Sequence, residues 1–185
     1  MARSRREDDG DVRPPPLRPR AIIDVLERHE VAYVIIGGVG ARMWGSTRTT
    51  VDLDICPAAS RQNKRRLATA LTELGARFRP PGLEAEGFAP PDGWDERSFD
   101  SLVSLALTTE LGWLDVWFVP DGTRGYDDLI RAASEAVIGG QIVKVAAIDD
   151  IIRSKQAAGR NKDLAALDHL HELARRRDDR GLREP

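Results

Sequence analysis

The sequence predicts an α/β domain built on one mixed β-sheet. Segments with a period-two apolar pattern alternate along the chain with segments whose apolar residues recur every three or four positions. Glycine or proline closes several of these segments, as at Gly37-Gly38, Pro57, Gly75 and Gly139-Gly140. The composition is that of a soluble globular chain: 185 residues, 41% hydrophobic, 31% charged, formal net charge -2. A body of that size buries a core without disulfide staples.

The ends differ from the middle. Residues 1–20 hold six arginines, four acids and four prolines, with Val12 and Leu17 almost the only apolar side chains, and read as a disordered arm. Residues 176–185 read as a disordered tail for the same reason. Between them the helix expected over Ala21 to His29 carries Ile22, Val25 and Leu26 on one face. Val31 to Ile36 is strand-like and stops at Gly37-Gly38, Val39 to Trp44 is a short helix, and Val51 to Cys56 is a second strand that Pro57 ends. Ser60 is positioned to cap a helix with Leu67, Leu71 and Leu74 on one side and Gly75 at its close. Pro80 to Asp100 reads as a loop with six acids against one arginine. Leu102 to Thr109 and Trp113 to Val119 are expected to pair as a hairpin. A short helix near Tyr126 to Ala133, a hairpin turning at Gly139-Gly140, and helices over Ile148 to Ala158 and Asp163 to about Arg175 complete the chain. The division that follows is a core over 21–146 and a helical part over 147–175.

The strand Val51-Asp52-Leu53-Asp54-Ile55-Cys56 carries the most chemical information. Alternation sends Val51, Leu53 and Ile55 to the core and Asp52 and Asp54 together to the other face. Two carboxylates on one face repel, and a divalent cation resolves the conflict, since hard cations such as Mg²⁺ take oxygen ligands and pair carboxylates with substrate phosphates. Asp115, in Leu114-Asp115-Val116, would supply a third carboxylate to a two-metal site. The competing reading places these acids on the solvent face of an edge strand, paired with arginines. Upstream, the Gly37-Gly38 turn lets backbone N–H groups come close to a phosphate, or serves only dihedral needs. No Gly-Lys-Ser/Thr follows, which excludes a Walker loop. The third glycine of the dinucleotide fingerprint is Met43, and its acid is misplaced, which argues against a Rossmann site.

Gly37-Gly38, thirteen residues, then Asp52-Leu53-Asp54-Ile55 resembles the signature of the DNA polymerase β-like nucleotidyltransferase superfamily. Gly45-Ser46-Thr47-Arg48-Thr49-Thr50-Val51-Asp52 resembles the approach to the metal strand in its small bacterial members. Asp115 matches the third carboxylate. Ile148-Asp149-Asp150-Ile151-Ile152-Arg153-Ser154-Lys155, with Gly159-Arg160-Asn161-Lys162-Asp163-Leu164, resembles the ending of the AbiEii-type (MenT-like) toxin branch. The resemblance spans about Ala21 to Leu173. It implies a nucleotidyltransferase fold, NTP as donor and Mg²⁺, or alternatively Mn²⁺, held by Asp52, Asp54 and Asp115. It further implies Lys155 at the nucleotide phosphates, with tRNA as a candidate acceptor RNA and an antitoxin protein as a candidate partner. Independently, the single cysteine, Cys56, points to the reducing cytoplasm, and no apolar run approaches the roughly 18 residues needed to span a membrane. Many members carry serine where Gly38 stands, so phosphate contacts here fall to backbone N–H groups, Ser46 or Arg48.

Lys155 has independent support. At about 100° per residue, Ile151, Ile152 and Lys155 lie at roughly -60°, +40° and -20° from Ile148, so the lysine sits mid-stripe on the apolar face. It either reaches a cleft or snorkels to solvent. Asp163 is either the acid beside that lysine or a first-turn helix acid, and Arg48 either meets phosphate or forms a surface ion pair. The clusters Arg61-Lys64-Arg65-Arg66 and Arg153 to Lys162 are either solvated helix faces or contacts for an RNA backbone. Trp117 is core or a base-stacking surface, Cys56 a small buried hydrophobe, and His29, His169 and His171 surface residues. Two rivals stand beside the toxin reading: an aminoglycoside-type nucleotidyltransferase, favoured by the acidic loop of net charge -5, and a catalytically inactive binding module of the same fold.

Overall fold

The computed structural model describes residues 14–81 and 87–180. The helices are α1 (Pro19–Arg28), α2 (Gly37–Met43), α3 (Arg61–Glu73), α4 (Tyr126–Leu129), α5 (Ile148–Ala158) and α6 (Asn161–Arg180). The strands are β1 (Tyr33–Ile35), β2 (Asp52–Pro57), β3 (Arg77–Phe78), β4 (Ser104–Thr109), β5 (Gly112–Trp117), β6 (Ser134–Ile138) and β7 (Gln141–Val145). The strands form one sheet in the order β3-β4-β5-β2-β1-β7-β6, in which β2·β5 and β1·β7 are parallel and the remaining pairs antiparallel. The mixed α/β sheet expected from the sequence is therefore present, and so are both hairpins.

Alternation along the central strands divides the interior into two clusters. Ile35, Leu53, Ile55, Leu114 and Val116 meet Ile22 and Leu26 of α1 and Leu67 and Leu71 of α3 on one face. Val34, Ile36 and Cys56 meet Ile148, Ile151 and Ile152 of α5 and Leu170 of α6 on the other. Asp52 and Asp54 share the face of the second cluster because they alternate with Leu53 and Ile55. Among the described residues, no helix is long and apolar enough to cross a membrane.

Several boundaries move. The arm expected over 1–20 is shorter within the described residues: Pro19 opens α1, the Arg18 N–H donates to the Leu111 carbonyl at 2.8 Å, and Leu17 packs on the first cluster. Residues 1–13 and 181–185 lie outside the described residues, while 176–180 continue α6 rather than beginning a tail. Val51 precedes the strand and is 47% exposed, so it does not join the core. The helix near Tyr126 is one turn long. Ser60 caps α3 as expected, accepting from the Asn63 N–H at 3.2 Å.

The segment from Pro80 to Asp100 is not a free loop where it is described. Phe88, Trp94 and Phe99 link Phe78 of β3 to Phe118, with ring centroids 4.9 to 5.9 Å apart, and the Trp94 indole donates to the Ala76 carbonyl at 3.0 Å. Two of its carboxylates face α3: Glu96 accepts from Arg61 and Arg65, and Asp100 from Lys64, at 3.0 to 3.2 Å. Arg66 pairs with Glu30. Among the described residues, Glu96 and Asp100 of the acidic segment thus engage three of the four cations of the first basic cluster.

Candidate active site

The carboxylates are placed by strand register. In the parallel β2·β5 pair Asp54 lies opposite Asp115 and Asp52 opposite Trp113. Residues directly opposite across a sheet point to the same face, so Asp54 and Asp115 stand side by side with Asp52 two residues away. All three are half-buried, and one oxygen from each lies within 4.8 Å of the others. Burial, then the charges of Asp52 and Asp115, push the Asp54 carboxyl up to about 7, against hydrogen bonds from the Trp117 indole at 3.2 Å and the Gly38 amide. Burial also raises Asp115, against the Arg79 guanidinium beside it. Thr50 donates its hydroxyl to Asp52 Oδ1 at 2.6 Å. Crowded, half-buried, oxygen-only donors are the set a hard divalent cation takes.

The glycine turn lies against this cluster. Gly37 opens α2 at φ +59°, and a Cβ there would stand 2.0 Å from Asp54 Oδ2. A Cβ on Gly38 would stand 2.5 Å from Thr50 Oγ1. Both glycines let the start of α2 approach the acidic strand. The Gly38 N–H is directed at Asp54.

Lys155 leaves the apolar stripe of α5 and enters the cleft rather than bulk solvent. Its Nζ donates to Asp163 Oδ1 at 2.8 Å, and Arg160 Nε donates to Asp163 Oδ2 at 2.5 Å. Gly159, in the left-handed conformation at the end of α5, turns the chain so that α6 presents Asp163 to that lysine. Asp163 is 2% exposed. Burial pushes its carboxyl up, but the bonds from Lys155 and Arg160 outweigh burial and hold it below the usual range. Both readings of Asp163 therefore hold in part: it occupies the first turn of α6 and is the acid beside the lysine.

Ser46 is buried and accepts weakly from the Arg48 N–H at 3.4 Å. Arg48 is exposed and donates to the Ala165 carbonyl at 3.3 Å; among the described residues it forms no ion pair. These two residues, Gly37 and Gly38, the three aspartates, Lys155 and Asp163 all line one cleft of about 310 Å³. Lys162 joins them at the mouth. A second cleft of about 270 Å³ shares Asp115, Trp117 and Arg160 with the first and is also lined by Arg79 and Ser104.

Trp117 is half-buried with its indole N–H on Asp54. Cys56 is fully buried, and burial pushes its thiol up to about 12. His29 bonds Glu73 at 2.6 Å, outside the cleft. Within the second basic cluster, Arg153 pairs with Asp128 and Asp150, and Lys155 and Arg160 with Asp163.

Arg79 was not singled out by the sequence. It donates to Asp115 Oδ1 at 2.6 Å, and its guanidinium lies 4.0 Å from the Trp113 ring centroid. It follows β3, a strand two residues long and too short for alternation to register. The only signal was the spacing of Arg77 and Arg79 around Phe78.

No protein-family model matches the chain, and no curated protein matches it in sequence. Solved structures do. The lincomycin-bound lincosamide antibiotic adenylyltransferase LnuA superposes with a TM-score of 0.57 at 15% identity, covering 85% of this chain and 99% of that one. The solution structure of the antibiotic-resistance factor ANT(2'')-Ia gives 0.51 at 15% identity, covering 86% and 88%. The chain has the nucleotidyltransferase fold of these proteins.

Proposed function

We propose that this chain is a metal-dependent nucleotidyltransferase that moves a nucleotide from an NTP to an acceptor hydroxyl. The observation that carries this reading is the convergence of Asp52, Asp54 and Asp115 with Lys155 on one cleft. The three aspartates would hold Mg²⁺, or alternatively Mn²⁺. Bound there, the ions would neutralise charge on the phosphates and activate the attacking oxygen.

The chain's own residues divide the remaining work. Lys155, largely buried on the cleft side of α5 and held by Asp163, presents a point charge to the triphosphate. Arg48 and Lys162 add cations at the mouth, and Ser46 with the Gly37-Gly38 turn forms the wall. Asp115 lines both clefts, where it would assist an acceptor hydroxyl entering from the second as base or as metal ligand. Replacing Asp54 by Ala should abolish transfer of labelled nucleotide from NTP with the circular dichroism spectrum unchanged. Undiminished transfer would sink the assignment.

For the acceptor we favour RNA, tRNA in particular, and with it the toxin role, an antitoxin partner and a cytoplasmic location. The second cleft is lined by Arg79 and Arg160, which are paired with Asp115 and Asp163 but, with five N–H donors on each guanidinium, keep others for an anionic acceptor. Asp95, Glu96 and Asp100 of the acidic segment are engaged in a helix cap and in ion pairs with α3, which leaves them poorly placed for a polycationic drug. A second reading, antibiotic modification, draws on the fold shared with two antibiotic-modifying proteins. Expression in a sensitive bacterium separates them: growth arrest relieved by Asp54→Ala supports the toxin, and drug resistance without arrest supports the alternative. Absence of labelled transfer to any acceptor, with the fold intact, would leave the inactive binding module.

A further inference from the structure

The Arg79 ion pair adds a second layer to the site. The Arg79 N–H donates to the Ala106 carbonyl at 2.8 Å, extending the β3·β4 register by one residue. Ala106 lies opposite Asp115. Arg79, Ala106, Asp115 and Asp54 therefore form one row across four strands, on one face. Ala106 offers only a methyl group, so the guanidinium reaches over it to the carboxylate.

The side chains of Arg79 and Asp115 are 13% and 16% exposed, and the Trp113 ring backs the guanidinium. A planar cation held by one carboxylate oxygen and stacked on a ring is more restricted than a lysine on a flexible stem. Lys155 and Arg160 are committed to Asp163. Among the described residues, Arg79 is the one cation in ion-pair contact with the carboxylate triad.

We propose that Arg79 is a resident counter-ion of the triad. It is a positioning residue that fixes Asp115 by one oxygen, and its charge weakens the triad's grip on divalent cations until the triphosphate contributes negative charge of its own. The inference rests on the metal-dependent reading above. A fixed positive charge a few ångströms from a divalent ion opposes it strongly in a half-buried site. Removing that charge should tighten metal binding, whereas removing a merely structural brace should loosen it.

The test is Mn²⁺ binding to the whole chain without nucleotide, read from the electron paramagnetic resonance of free Mn²⁺ at about pH 8, where competition from protons is small. Arg79→Ala should bind Mn²⁺ at least about tenfold more tightly than the wild type. Arg79→Gln, which keeps a donor toward Asp115 without charge, should tighten binding in the same way and serves if the alanine variant does not fold. Arg79→Lys, which keeps the charge, should stay close to the wild type. Unchanged or weaker binding in the folded neutral variants, or equal tightening in Arg79→Lys, overturns the proposal while leaving the metal site standing. No Mn²⁺ binding by the wild type would instead overturn the metal-dependent reading itself, and this proposal with it.

Discussion

Asp54→Asn should make the metal-free chain more stable and the metal-loaded chain less so. The carboxyl is raised from an ordinary value of 3.8 to about 7 by burial and by its two acidic neighbours. At about 1.36 kcal/mol per unit, ionising it in the fold costs at most roughly 4 kcal/mol relative to the unfolded chain. The three carboxylates share that cost, and the amide forfeits the charge on its bonds to Trp117 and Gly38, so a net gain of about 1–2 kcal/mol is expected. For a domain of this size that raises the melting temperature by about 2–8 °C. The assay is thermal unfolding by circular dichroism at about pH 8, in EDTA and in excess Mg²⁺. Saturating the wild type at a hundred times its dissociation constant adds about 2.7 kcal/mol, which the Asn variant should largely lose, so the order of stability reverses. Because the folded value is the higher one, the penalty is present above about 7 and disappears as pH falls toward 3.8; the advantage of the variant in EDTA should disappear with it. An Asn variant less stable than the wild type in EDTA at about pH 8 would refute the account of the triad as a frustrated cluster.

Two other substitutions test the surroundings. Gly37→Ala forces a side chain into a left-handed backbone and onto Asp54 Oδ2, so it should cost about 2–4 kcal/mol in urea unfolding and eliminate Mn²⁺ binding. Asp163→Ala strands Lys155 and Arg160, both able to rehydrate in part, and should cost about 1–3 kcal/mol at neutral pH. Since Asp163 is held below its ordinary range, its stabilisation is present above about 3.9 and is lost as pH falls further, so wild type and variant should converge in acid unfolding curves.

What could be read in advance was whatever depends on local period. Asp52 and Asp54 fell on one face because Leu53 and Ile55 fell on the other, and Lys155 stood out because Ile148, Ile151 and Ile152 define a stripe around it. Arg79 could not be found that way. Its role depends on a two-residue strand, on the small side chain of Ala106 and on a register joining residues 79, 106, 115 and 54. The acidic segment misled for a related reason: its net charge was visible, but the partners of Glu96 and Asp100 are set by tertiary packing against α3. Val51 shows the limit of alternation itself, since the pattern continues one residue past the point where the strand begins.

The parallel pairing of β2 with β5 bears on when the site comes into being. Fifty-four residues separate Pro57 from Gly112, so the stretch carrying α3, β3, the aromatic-packed segment and β4 must close as one long loop for Asp54 to meet Asp115. Closing a connection of that length forms contacts of high order, which arise late and slowly. Lys155 docks from still further along the chain. Ion capture by the triad would then mark completion of folding, and a pulse of Mn²⁺ during refolding would date the last long-range step rather than the first collapse.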